Sequence, residues 1–155
     1  MKKLMRFIVL SLLFVFVIIQ FFQPEKNQGD ITTNHIFEQE IISDEIISIL
    51  ENACLDCHSN QTEYLWYHKI APVSWMVSKH VDEGKKELNL SEWGQMDVFD
   101  KIGNLQEICE EVQDNKMPIK SYVKMHKKAD LSKTQIDALC AWTEKLSEEM
   151  LTKIN

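Results

Sequence analysis

The sequence predicts an all-α fold behind an N-terminal membrane helix. An apolar run from Phe7 to Phe22 follows Lys2, Lys3 and Arg6, and four later segments repeat apolar residues at helical spacing. No segment alternates convincingly as a strand, and 155 residues leave room for one small domain besides the leading segment.

The leading run is broken only by Ser11 and Gln20, and Leu4 and Met5 extend it towards the roughly 20 residues a span needs. A cleaved signal ends in small residues, whereas this run ends in Ile18, Ile19, Gln20, Phe21 and Phe22. It carries no Cys for lipid attachment. A core helix of a soluble domain would keep a polar face. Residues 1–23 therefore read as an uncleaved signal anchor, a transmembrane helix. The basic flank puts Pro24 onward outside the cytoplasm, in a periplasm or on the outer face of the cytoplasmic membrane. Residues 24–36, polar and carrying Pro24 and Gly29, read as a tether, and residues 37–152 as the folded domain.

Within that domain Ser43 is positioned to cap a helix that opens with Asp44 and Glu45, where the helix dipole favours anions. Ile42, Ile46, Ile49, Leu50 and Ala53 form its apolar stripe, and it ends at Cys54. A second helix is expected from Val73 to about Leu88. A third holds Phe99, Ile102, Leu105, Ile108, Cys109 and Val112 and must stop before Pro118. The last opens on a capping box, Ser132 with Gln135, and a staple of Leu131 with Ile136. Its core face is Ile136, Leu139, Cys140, Leu146 and Met150.

Charge narrows the function. The chain has 17 basic and 24 acidic residues, and three basic ones precede Phe7, so the remainder carries a net −10. Such a surface argues against nucleic-acid binding and could steer a basic protein partner.

Cys54-Leu55-Asp56-Cys57-His58 is C-x-x-C-H, the attachment signature of c-type haem. Two thiols three residues apart can add to the two vinyl groups of a porphyrin, and the adjacent imidazole then ligates the iron. A thioredoxin-like dithiol would sit beside a βαβ pattern, which is missing. A zinc site would need further paired ligands, and Cys109 and Cys140 are not paired in sequence. A Cys54–Cys57 disulfide is the remaining alternative.

The stretch CLDCHSNQTEYLWYHKIAPVSWMVSKHVDEGKKELNLSEW from Cys54, followed by EICEEVQDNKMPIKSYVKMHKKADLS, resembles the haem-binding domain family of bacterial exported proteins. The resemblance covers about Phe37 to Leu146. It rests most on Cys54 to Ser59, Trp75 with His80, Leu88-Asn89 with Ser91-Glu92-Trp93, and Met117-Pro118. It implies a cytochrome c-like haem domain. Leu65 departs from the pattern, which expects a proline before Trp66-Tyr67.

For the second iron ligand the sequence points to Met117, because Lys116-Met117-Pro118 follows a helix end and a stiff loop there can project a thioether. His80 and His126 compete with it. His35 falls in the tether and His68 near the site entrance, with no role assigned. Trp66, Tyr67, Trp75 and Trp93 read as haem-pocket and core residues, and Met76 and Met96 as packing. Cys109 and Cys140 lie on inward faces and are open to either a disulfide or free thiols. These expectations describe a membrane-anchored monohaem cytochrome that carries electrons outside the cytoplasm to an unidentified redox partner. The rivals are a peroxidase-type enzyme with an open distal site and a haem-based sensor acting through a partner.

Overall fold

In the computed structural model, which describes residues 1–154, α1 (Lys2–Ile19) contains most of the apolar run. No helix among the described residues is long and apolar enough to cross a membrane, so the transmembrane helix expected over residues 1–23 is not found. The reason is visible in α1 itself. Lys2, Lys3 and Arg6 occupy its first turns and the helix stops at Ile19. The uncharged part, Phe7 to Ile19, rises about 20 Å at ~1.5 Å per residue, against a hydrocarbon core of about 30 Å. At its end the Gln20 side-chain amide donates to Ala71 O (3.1 Å) and accepts from Ala71 N (2.9 Å).

Residues 24–36, expected as a polar tether, are bound along the domain instead. Asn27 N donates to the Tyr64 hydroxyl (2.7 Å), and its side-chain amide donates to Ser59 O and Thr62 Oγ1 (both 2.9 Å). Lys85 Nζ donates to Asn27 Oδ1 at 2.8 Å, and Gln28 forms an antiparallel bridge with Gln61. The strong turn formers in this segment disguised a strand-like edge contact whose partner lies over thirty residues away.

The rest is helical. α2 (Ile36–Gln39) is capped by His35, whose Nδ1 accepts from Phe37 N at 3.2 Å. α3 (Asp44–Ala53) buries Ile46, Ile49 and Leu50; Ser43 stands at its N-cap, but its hydroxyl makes no capping bond. α4 (Leu55–His58) is one turn, and α5 spans Val73–Glu87. α6 (Val98–Gln113) is capped by Asp97, which accepts from Phe99 N at 2.9 Å. α7 (Lys120–Met125) is short, and α8 (Lys133–Ile154) opens on the expected box: Ser132 N donates to Gln135 Oε1 and Gln135 N to Ser132 Oγ.

α6 and α8 lie against each other and are joined by a Cys109–Cys140 disulfide, which decides between the two states the sequence left open. The core brings together Ile46, Ile49 and Leu50 of α3, Leu105 and Val112 of α6, and Leu139, Leu146 and Met150 of α8. Trp93 is fully buried beside them, with its indole N–H donating to Glu40 Oε1 (2.8 Å). The other aromatic expectations need correcting: Trp66 is 71 % exposed and Trp75 40 %, and Met76 is exposed as well. Trp66 lies in the turn before α5 and Trp75 and Met76 in its first turn, on the outer side of the domain. Met96 does pack against the core.

Candidate functional site

The cysteine motif forms a helical turn hinged on Cys54. Cys54 closes α3, donating its N–H to Leu50 O, and opens α4, where its carbonyl accepts from Cys57 N (3.1 Å) and His58 N (2.9 Å). Cys54 and Cys57 are both free thiols, so the disulfide reading does not hold. Burial pushes the Cys54 thiol up to about 12, with Cys57 adding to the rise; burial followed by the charge of Asp56 pushes Cys57 up to about 11. A redox-active dithiol is activated by a depressed pKa, and both shifts here run the other way.

His58 is oriented by the backbone of the following helix. Its Nδ1 lies 3.0 Å from Leu88 O, and since a carbonyl can only accept, Nδ1 carries the proton and Nε2 keeps its lone pair. Burial lowers the pKa of His58, opposed by backbone hydrogen bonds with Leu88 and Gly84. The imidazole is thus held neutral and single-tautomer, as a metal ligand must be. α5 comes this close because of Gly84: a Cβ there would lie 2.7 Å from Cys57 O and 3.1 Å from Cys57 Cβ.

The segment after α5 holds the other side of the motif. Leu90 N donates to His58 O (2.8 Å), Asn60 N to Ser91 Oγ (3.0 Å), and the Asn89 amide to Asn60 Oδ1 (2.9 Å). These contacts give a physical reason for Leu88-Asn89-x-Ser91 to accompany the cysteine motif. Asp56, inside the motif, accepts from Glu63 N and from the Tyr122 hydroxyl, each at 2.8 Å. Tyr122 was not singled out in the sequence. Burial, then the charge of Asp56, raises its pKa, so it stays a donor.

Cys54, Cys57 and His58 open onto a cavity of about 490 Å³ between α3, α4, α5, α6 and α7. Leu50, Ala53, Leu90, Ile108, Val112 and Ile119 supply apolar wall, and Met117 and His80 also line it. Met117 follows the expected end of α6, and Asn115 closes that end. Asn115 adopts a positive φ of 55°, and Lys116 N and Met117 N both donate to Glu111 O at 3.0 Å. Asparagine just past a helix end is a C-cap signal and could have been read as one. His126 is not among the lining residues; it stacks on Tyr122 at 3.8 Å and meets the Tyr67 hydroxyl through Nε2 at 3.2 Å. His35 and His68 are buried away from the cavity, and neither Tyr67 nor any tryptophan lines it.

The donor set fits a haem: two neutral thiols, an imidazole with a free Nε2 and a thioether surround a cavity within the ~300–1,000 Å³ of ordinary ligand sites. Its polar wall is acidic, with Glu83 and Glu87 from α5 and Glu107, Glu110 and Glu111 from α6. Among the described residues no Lys or Arg lines it.

The family model for a haem-binding domain matches residues 14–145, reaching further towards the N-terminus than the sequence resemblance did. That extension takes in the segment bound through Asn27. No curated protein and no solved structure matches the chain significantly.

Proposed function

Because the chain belongs to the haem-binding domain family, we propose that it is a monohaem c-type cytochrome, anchored to a membrane, that transfers electrons outside the cytoplasm. The observation that carries this reading is the Nδ1–Leu88 O hydrogen bond, which aims a neutral imidazole lone pair from the same turn that presents two free thiols. Cys54 and Cys57 would hold the haem by thioether bonds, with His58 and Met117 as its iron ligands. When bound, the haem supplies a one-electron iron(III)/iron(II) couple. The protein's part is to fix His58 through Leu88, to brace the motif through Asp56 and Tyr122, and to exclude water with the apolar wall.

Export is supported by the Cys109–Cys140 disulfide, since such bonds persist in oxidising compartments. Anchoring is supported by α1, none of whose residues is buried by the domain. Its basic flank can snorkel, and Phe21 and Phe22 add apolar length beyond the helix end, so a thin bilayer or a tilt-free insertion would accommodate it. The partner would be a basic redox protein, drawn by the acidic wall.

His80 favours a second reading. An imidazole on the cavity wall could serve a peroxidase-type reaction or a sensor if Met117 does not bind iron. The purified full-length protein should keep its haem through acid–solvent extraction, whereas the Cys54→Ala, Cys57→Ala variant should release all of it. Release of haem from the wild type would overturn covalent attachment. Rapid carbon monoxide binding by the reduced wild type would favour the second reading.

A further inference from the structure

We infer that the turn-and-helix face formed by Trp66, Ile70, Val73, Trp75 and Met76 is a membrane-seating surface, on which the domain rests against the bilayer interface beside the end of α1. The inference rests on the anchor reading of α1 and goes beyond it, since an anchor alone leaves the domain free to tumble. Three observations carry it. The first is exposure: Trp66 is 71 % exposed and Met76 55 %, and Ile70, Val73 and Trp75 are each at least 36 % exposed. Five large apolar side chains from a short stretch, two of them tryptophan, make a patch that water penalises and that a bilayer interface favours.

The second observation is attachment. Gln20 makes a reciprocal pair of hydrogen bonds with Ala71, and the Trp75 indole N–H donates to Phe22 O at 2.6 Å. The face is thereby tied to the segment just after α1, where Phe21 and Phe22 are exposed.

The third is charge. From Tyr64 to Val81 the chain contains no Asp or Glu, although 24 are spread over the sequence after Pro24. Lys69 is exposed within that stretch, Lys79 is exposed but pairs with Glu83 (3.6 Å), and Lys26 lies over the Tyr64 ring at 5.7 Å. Glu25 and Glu63 flank the face. Lysines around an apolar, acid-free patch suit anionic headgroups, whereas the acidic remainder of the domain is repelled by them. The face occupies the first turns of α5, and the cavity is lined by its later ones, from His80 to Glu87.

The test uses the full-length haem-loaded protein in vesicles of mixed phosphatidylcholine and phosphatidylglycerol. With Cys54 and Cys57 in thioethers and Cys109 bonded to Cys140, Met76→Cys introduces the sole free thiol for a nitroxide label. Trp66→Cys repeats the measurement from the preceding turn, and Glu144→Cys, at an exposed position of α8, is the aqueous reference. Labels at 66 and 76 should be more accessible to oxygen and less accessible to a water-soluble nickel chelate than the label at 144. Equal accessibility at all three positions, in protein that resists carbonate extraction, would overturn the seating while leaving the anchor intact. Release by carbonate would overturn the anchor and the seating together.

Discussion

The residues with the most chemistry lay within a few positions of each other, so they could be found without a structure. Cys54, Cys57 and His58 need only one helical turn to converge, and Met117 announced itself by the proline that follows a helix end. What could not be read was the support. Leu88 acts on His58 through a backbone carbonyl, which any residue type would supply. Tyr122 reaches Asp56 across 66 positions, and no local pattern marks such a pair. Trp66 and Trp75 were misread for the same reason: an aromatic side chain looks like core until its neighbours are known. The assignment of Met117 can be tested at this scale. Met117→Ala should abolish the weak far-red sulfur-to-iron(III) band and lower the reduction potential, because a thioether favours iron(II). A wild-type spectrum of the bis-histidine kind would instead make His80 the ligand, as the other imidazole on the cavity wall.

Helix boundaries were legible because caps and apolar periodicity are local. Val73 as the start of α5, the Ser132–Gln135 box and the end of α6 before Pro118 all stand in the structure. The packing of one helix on another was not, and Gly84 is where that gap matters. In sequence it is a glycine inside a helix, costing roughly 1 kcal/mol relative to alanine with no evident return. In the structure it lets α5 touch the backbone of the cysteine turn, bringing Leu88 within reach of His58. Gly84→Ala should therefore destabilise the protein despite its better helix propensity, by about 1–3 kcal/mol as an overpacking change. Thermal unfolding of the haem-loaded variant should begin several degrees lower, at ~2–4 °C per kcal/mol for a chain of this size. The His58 orientation should loosen with it, broadening the axial-ligand resonance. A variant as stable as the wild type would show that α5 can shift without cost.

Taken as a whole, the molecule separates its charge. The stretch from Tyr64 to Val81 is free of acids, while five glutamates from α5 and α6 line the cavity. A carboxylate-lined wall favours the more positive iron(III) state and attracts cations towards the haem edge. Under the proposed ligation it would work against the thioether of Met117, which favours iron(II), so two opposing influences would set the potential. The same field should govern which partners react quickly. Oxidation of the reduced protein by a small cation, hexaammineruthenium(III), should slow as salt rises, and oxidation by the anion ferricyanide should quicken. Attraction and repulsion beyond a Debye length of about 10 Å are both screened near 0.1 M ionic strength. Because steering changes association rates by about 10–10³-fold, stopped-flow measurements across ionic strength should resolve opposite slopes. Glu83→Gln with Glu87→Gln should flatten both slopes and raise the potential, leaving the visible spectrum unchanged because neither residue is proposed to ligate iron. Identical slopes for the two probes would show that electrons leave through a part of the surface remote from these glutamates, and would remove the case for a basic partner at the cavity.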